Sequence, residues 1–135
     1  MPEASKPFVL VVDDDSDNRN IYTAGLRFAG FRVEAVGDAG AALQRAREDQ
    51  PAAIVMDLSM PVVDGFEAIR RLRRDVRTKG IGVVALTAFT SNENRMRAKQ
   101  AGADFFVSKP CTPAELSVHI FECMRRRGNQ AAARR

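Results

Sequence analysis

Five polar residues follow short apolar runs of the sequence, and their types suit metal binding and phosphate chemistry. They are Asp13, Asp14, Asp57, Thr87 and Lys109. Short apolar runs that alternate with helical patterns are typical of parallel strands buried on both faces. Because the carboxyl ends of such strands border the ligand-binding crevice of an open α/β sheet, we expect these side chains to meet at one edge.

Three carboxylates at one sheet edge repel one another unless a cation lies between them. Oxygen ligands favour a hard metal such as Mg²⁺, with Mn²⁺ as an alternative, and Asp14 and Asp57 are the expected inner ligands. Asp57 is also the best candidate nucleophile, because carboxylates accept phosphoryl groups and no serine, cysteine or histidine is placed beside a base. Lys109 and Thr87 could then hold phosphoryl oxygens.

Five apolar runs alternate with five helical patterns, and this order predicts how the site residues are carried. The strands are predicted at residues 8–12, 31–35, 52–56, 81–86 and 105–107. Right-handed crossovers then give a doubly wound (βα)5 α/β fold, a flavodoxin-like three-layer sandwich with parallel strand order 2-1-3-4-5. Asp15 or Ser16 is expected to cap the first helix, and Thr112 with Glu115 forms a capping box for the last.

Helical spacing also predicts which helix residues face inward. Ile21, Gly25 and Phe28 share one face of the first helix, and Met96 is the main apolar residue expected to be buried by the fourth. Gly128 is expected to end the last helix. The predicted organisation is an N-terminal extension at 1–7, one domain at 8–127 and a basic, flexible tail at 128–135.

Composition excludes several function classes. At 135 residues, with 45% hydrophobic and 28% charged residues, the chain has the character of one globular domain in the cytoplasm, without a membrane segment or signal peptide. Its net charge is +4, but residues 125–135 hold five arginines and no acid, so the positive surplus lies in these last eleven residues. The spacing of Cys111 and Cys123 predicts reduced thiols, and the single histidine, His119, argues against His-based catalysis.

The chain resembles the response regulator receiver domain of two-component signalling, of the single-domain, CheY-like kind, from Val9 to about Met124. The resemblance rests on six motifs in order, since each alone is a weak signal. They are Val11–Asp15, Met56–Pro61, Asp64-Gly65, Leu86–Ala88, Ala101–Ala103 and Ser108–Pro110.

The resemblance implies that a histidine kinase or a phosphotransfer histidine passes a phosphoryl group to Asp57. It also implies that Asp14, Asp57 and the Ser59 carbonyl ligate Mg²⁺, with Asp13 acting mainly through water. Thr87 and Lys109 would bind the phosphoryl group, and the Lys109–Pro110 peptide would be cis. Such a protein would catalyse only its own phosphorylation and dephosphorylation.

The resemblance also implies an aromatic switch, a ring that changes position on phosphorylation, and Phe106 stands at that position. Movement of Thr87 toward the phosphoryl group would let that ring turn inward and remodel the face formed by helix 4, strand 5 and helix 5. Ser59 and Phe89 stand at positions that tune dephosphorylation, often polar in receivers. The apolar Phe89 leads to the hypothesis of a long-lived phosphorylated form.

Further expectations concern partners and rival functions. We expect the phosphorylated protein to bind a downstream protein target of unknown identity and to form a homodimer, and we expect no DNA-binding domain. The chain could be a complete single-domain regulator or a receiver from a hybrid histidine kinase or multidomain regulator. A haloacid-dehalogenase-like phosphatase would also use Asp57 and Mg²⁺, but Ser59 stands where that family has a second aspartate. A basic-tail adaptor would bind nucleic acid or membranes with salt-dependent affinity lost on deleting 125–135.

Overall fold

A computed structural model describes residues 6–59 and 65–133, with side chains described to residue 128. Five strands alternate with five helices, as the apolar runs predict. The strands are β1 (Phe8–Val12), β2 (Arg32–Val36), β3 (Ala53–Asp57), β4 (Gly82–Thr87) and β5 (Phe105–Ser108). The helices are α1 (Ser16–Phe28), α2 (Ala39–Asp49), α3 (Gly65–Arg74), α4 (Asn92–Ala101) and α5 (Pro113–Ala133).

All neighbouring strands pair in parallel, in the order β2-β1-β3-β4-β5. This confirms the predicted strand order and the doubly wound sandwich. In β1, which lies between β2 and β3, Val9 and Val11 pack into one core cluster with α1 and α5, while Leu10 and Val12 pack into another with α2, α3 and α4. The continuous apolar runs arise because both faces of the sheet are covered.

The parallel register brings the strand ends to one edge. Val12 of β1 is aligned with Met56 of β3, so Asp13 and Asp57 extend one residue further at the same level. Asp57 is aligned with Leu86, and Thr87 with Ser108. Asp13, Asp57 and Thr87 therefore lie at one edge of the sheet, as predicted.

Helix capping follows the predictions. The Asp15 side chain caps α1 by accepting hydrogen bonds from the backbone N–H groups of Asp17 and Asn18. At α5, the backbone N–H of Glu115 donates to the Thr112 hydroxyl, and the backbone N–H of Thr112 donates to the Glu115 carboxylate. Both loops that precede these helices also carry site residues.

Two predicted helix faces were wrong. In α1 the buried side chains are Tyr22 and Leu26, whereas Ile21 is 57% exposed and Phe28 is 95% exposed. In α4, Met96 is 61% exposed. The small residues Ala98 and Ala101 are buried in α4 instead, because that helix packs closely on α3 and β5. Residue size along a helix did not indicate which side faces the sheet.

The last helix does not end at Gly128, as predicted, but continues to Ala133. Glycine weakens a helix without ending it unless its φ is positive, and Gly128 is not among the positive-φ residues. Arg127 anchors this part of α5, since its guanidinium donates to both carboxylate oxygens of Asp104. Arg73 of α3 also donates to Asp104, at Oδ2. No helix within the described residues is long and apolar enough to cross a membrane.

Candidate functional site

Three carboxylates lie at the edge that the register creates. One oxygen each from Asp13, Asp14 and Asp57 lies within 4.8 Å of the others. Asp13 and Asp57 are only 2% and 3% exposed, whereas Asp14 is exposed. The pair of buried acids forms the floor of the site, and Asp14 lies at its open side.

Lys109 is the cation that faces this pair. Its Nζ lies 3.6 Å from Asp13 Oδ2 and 3.4 Å from Asp57 Oδ2. The peptide bond that follows, Lys109–Pro110, is cis. The backbone N–H of Lys109 donates a 2.8 Å hydrogen bond to the Thr87 carbonyl, which ties the lysine loop to the end of β4.

Asp13 carries an electrostatic conflict. Burial raises the pKa of its carboxyl group, the hydrogen bond from the Asp15 backbone lowers it, and the nearby charge of Asp57 raises it again. Among the described residues, Asp13 Oδ2 is a buried side-chain oxygen without a hydrogen-bond donor. Such an atom is a ready ligand for a cation.

These carboxylates therefore fit a magnesium ion. Mg²⁺ takes a few carboxylate oxygens and keeps several waters, and the exposed side at Asp14 leaves room for water. Mn²⁺ accepts the same oxygen ligands. Asp13, Asp14 and Asp57 would hold the ion, and the Ser59 carbonyl is the further ligand implied by the family resemblance.

Asp57 and Thr87 are tied together by hydrogen bonds around Ser59. The backbone N–H of Ser59 donates to Asp57 Oδ1 at 2.9 Å, and the Ser59 and Thr87 hydroxyl oxygens are 3.5 Å apart. Thr87 is buried, and its Oγ1 accepts a 3.0 Å hydrogen bond from the backbone N–H of Phe89. The Phe89 ring itself is 61% exposed.

The Phe106 side chain lies on the face of the sheet opposite to the core cluster that contains α1 and α5. It is half-buried and packs against the cluster that contains α4, while the Arg95 guanidinium lies 4.8 Å from its ring centroid. Its neighbour Phe105 packs against the opposite cluster. Phe106 is therefore neither fully exposed nor fully buried.

Sequence reasoning missed Arg19. Its guanidinium donates a 2.8 Å hydrogen bond to the Asp13 main-chain oxygen. An arginine on the polar side of a helix is usually solvated, and only the path of the chain shows that this one returns to the site. The motif residues Met60, Pro61 and Asp64 lie outside the described residues.

The two cysteines and the histidine lie as the composition predicted. Cys111 and Cys123 are free and buried, and burial raises the pKa of the Cys123 thiol to about 12. His119 is half-buried beside Phe105, away from the carboxylates. None of the three takes part in the site.

The chain is similar in sequence to bacterial transcriptional and DNA-binding regulators. The chain is 40% identical over 129 residues to the transcriptional regulatory protein PrrA of Mycobacterium tuberculosis, covering 96% of this chain and 54% of PrrA. It is 36% identical over 124 residues to the DNA-binding response regulator MtrA of Mycolicibacterium smegmatis, covering 92% of this chain and 53% of MtrA. The chain thus spans about half the length of these curated relatives.

The expectation that no DNA-binding domain is involved is contradicted by these relatives. MtrA is by name a DNA-binding regulator, and the DNA-binding regulator RpaA of Synechocystis also matches. The matched region covers about half of each relative.

A solved structure with a similar fold contains a magnesium ion. The receiver domain of the sensor histidine kinase PA1611 from Pseudomonas aeruginosa is 32% identical, with a TM-score of 0.81, covering 89% of this chain and 98% of that chain. Its magnesium ion is coordinated in the active-site cleft. The family model described as response regulator receiver domain matches residues 9–121, and this chain belongs to that family.

Proposed function

We propose that this receiver accepts a phosphoryl group on Asp57 from the phosphohistidine of a histidine kinase or phosphotransfer protein. The observation that carries the proposal is the placement of Asp57, which is buried at the strand edge beside Lys109 and the other two carboxylates. In the transfer, the donor's P–N bond breaks, its electron pair returns to the imidazole nitrogen, and a P–O bond forms to Asp57.

Each neighbouring residue has a defined part in this transfer. Lys109 neutralises charge on the phosphoryl oxygens, and Thr87 donates its hydroxyl hydrogen to one of them. The Ser59 N–H keeps the Asp57 carboxylate oriented through its 2.9 Å hydrogen bond. Magnesium, when bound, supplies positive charge for the same oxygens and offsets the repulsion among the carboxylates.

We further propose that phosphorylation is read out at the surface of α4, β5 and α5. Thr87 lies at the end of β4, and Phe106 lies on the adjacent strand against the α4 cluster. Thr87 drawn toward a phosphoryl group leaves space into which the Phe106 ring can turn. In this way a change of charge at Asp57 causes a change of side-chain packing at a protein-binding surface.

The test is phosphorylation by a small phosphodonor such as acetyl phosphate in the presence of Mg²⁺. Intact mass spectrometry should detect one phosphoryl adduct on the wild-type chain and none on Asp57→Asn. Asp15→Asn is the matched control, because Asp15 caps α1 beside the site and asparagine caps equally well. An adduct that persists in Asp57→Asn, or never forms in the wild type, refutes the proposal.

The relatives suggest what the switch controls. PrrA and MtrA are by name transcriptional and DNA-binding regulators, so we propose that phosphorylation of this receiver controls transcription. Transcript profiles of cells that carry Asp57→Asn should differ from those of the wild type under the inducing stimulus. Identical profiles would reject transcriptional control.

A further inference from the structure

Arg19 lies on α1, beyond the loop that carries the first two carboxylates, and its side chain returns to that loop. Its Nη1 donates a 2.8 Å hydrogen bond to the main-chain oxygen of Asp13. This oxygen belongs to the peptide group that joins Asp13 to Asp14. One hydrogen bond therefore restrains the peptide plane between two residues of the carboxylate cluster.

The remaining polar groups of Asp13 are restrained as well. Its backbone N–H donates to the Val36 carbonyl at 3.1 Å, and its Oδ1 accepts from the Asp15 N–H at 2.9 Å. Only Oδ2, which faces Lys109, has no hydrogen-bond donor. The direction of this free oxygen is thus set by the main chain around Asp13, and Arg19 restrains one side of that chain.

The fold leaves room for the Arg19 guanidinium beside Gly37, which follows β2. A Cβ atom at position 37 would lie 3.1 Å from Arg19 Nη1 and 3.6 Å from Cζ. The 3.1 Å distance is tighter than ordinary van der Waals contact, so a Cβ atom there would push the guanidinium by a few tenths of an ångström. Such a shift would strain the hydrogen bond to the Asp13 main-chain oxygen.

We propose that Arg19 is a positioning residue for the metal and phosphoacceptor site. It acts through the Asp13–Asp14 peptide, since its described hydrogen bond goes to a carbonyl rather than to a carboxylate. This inference rests on the proposed function, because it concerns how the same carboxylates are held for Mg²⁺. Loss of the guanidinium should weaken metal binding more than it weakens the fold.

The experiment compares Arg19→Gln with Arg27→Gln in the full chain. Arg27 is a matched control because it lies on the same helix and donates a similar bond, 3.0 Å from Nη2 to the Val33 carbonyl, away from the site. Mg²⁺ affinity is measured by isothermal titration calorimetry, and the unfolding midpoint by circular dichroism. The phosphorylation rate is followed against Mg²⁺ concentration with acetyl phosphate.

We expect Arg19→Gln to bind Mg²⁺ about tenfold more weakly, the size of effect typical of residues that orient metal ligands. Its phosphorylation rate should return to the wild-type value at saturating Mg²⁺. Arg27→Gln should lose thermal stability to a similar degree and keep wild-type Mg²⁺ affinity. Unchanged affinity in Arg19→Gln, or an equal loss in Arg27→Gln, would overturn the inference.

Gly37→Ala provides an independent variant if Arg19→Gln fails to fold. It keeps the arginine and crowds its guanidinium, so a smaller loss of Mg²⁺ affinity in the same direction is expected, and no loss would contradict the proposal. Failure of the proposed function is distinguishable from these outcomes. In that case the wild-type chain itself would bind no Mg²⁺ and form no phosphoryl adduct.

Discussion

Asp13 shows at the scale of one residue how a binding site works against the stability of the fold. The side chain is 2% exposed, and burial raises the pKa of its carboxyl group. A group whose folded-state pKa is raised contributes stability below its unfolded pKa, and this contribution is lost as the pH rises through the folded value. At neutral pH without a cation, the ionised Asp13 therefore destabilises the protein.

Asp13→Asn should raise the thermal midpoint by a few degrees at neutral pH in the presence of a chelator. The gain should shrink as the pH falls below the raised pKa of Asp13 in the folded state. It should vanish below the ordinary carboxyl pKa, where Asp13 is protonated in both the folded and the unfolded state. Mg²⁺ should stabilise the wild type more than the variant. Circular dichroism melts measure all three effects.

Asp38→Asn is the control for the Asp13 experiment. Asp38 is exposed and caps α2 through a 2.8 Å hydrogen bond, which asparagine can replace. Its substitution should leave the midpoint and the Mg²⁺ effect almost unchanged. An equal gain in Asp38→Asn would show that burial at Asp13 is not the cause.

Phe89 carries the proposal of a long-lived phosphorylated form. Its N–H binds Thr87, but its ring is 61% exposed, so shielding requires the ring to cover the acyl phosphate once it forms. Phe89→Asn should speed phosphate loss several-fold by admitting water. Phe28→Asn, which changes an exposed phenylalanine on α1, should leave the rate unchanged. Decay of the phosphoryl adduct by mass spectrometry decides this, and equal decay in wild type and Phe89→Asn removes the shielding idea.

At the scale of helices and strands, two glycines inside helices differ in whether the surrounding structure leaves space for a side chain. A Cβ atom on Gly25 of α1 would collide with the Pro113 ring at the start of α5, whereas a Cβ on Gly128 of α5 would meet nothing within 4 Å. Gly25 therefore allows α1 and α5 to approach each other beside the loop that contains Lys109. Gly128 has no such packing role.

The two substitutions should consequently change stability in opposite directions. Gly25→Ala should lower the free energy of unfolding by about 1 to 3 kcal/mol, the usual cost of overpacking, although alanine is the better helix former. Gly128→Ala should raise it by up to about 1 kcal/mol, since only helix propensity changes. Urea denaturation of both variants measures the difference. A stabilising Gly25→Ala would mean that α1 and α5 are not held at this distance.

At the scale of the whole molecule, the sheet separates two core clusters that β4 and β5 both contact. Val84 and Leu86 pack with α1 and α5, whereas Val83 and Ala85 pack with α2, α3 and α4. Thr87 ends the same strand at the site. In the proposed switch, a shift at Thr87 would act on the α4 side of the sheet through this strand.

Phosphorylation should accordingly change backbone hydrogen exchange in α4 and β5 more than in α2. The Phe106 ring must leave its position beside Arg95 to turn inward, which loosens the α4 surface. Exchange measured by mass spectrometry with and without acetyl phosphate tests this, and Asp57→Asn should show no change. Equal exchange in both states of the wild type would contradict a switch through Phe106.

The sequence by itself determined the strand order and most of the carboxylate site. Continuous apolar runs predict strands buried on both faces, and a parallel sheet leaves one edge at which Asp13, Asp57 and Thr87 can end. The strands and the residues that end them are predictable because period and strand-end position are local properties of the chain, and the strand order follows from right-handed crossovers.

Only the tertiary structure decided how distant residues use their side chains. Helical spacing placed Phe28 on a shared face, yet the packing of α1 buries Tyr22 and Leu26 and leaves Phe28 in solvent. Arg19 is one polar helix residue among several in the sequence, and its proposed role depends on a loop that brings the Asp13 carbonyl within 2.8 Å and on Gly37, which follows β2, beside its guanidinium. The way in which the helices pack against the sheet decides which helix face is buried and which carbonyl a side chain reaches. No short stretch of the sequence encodes that packing.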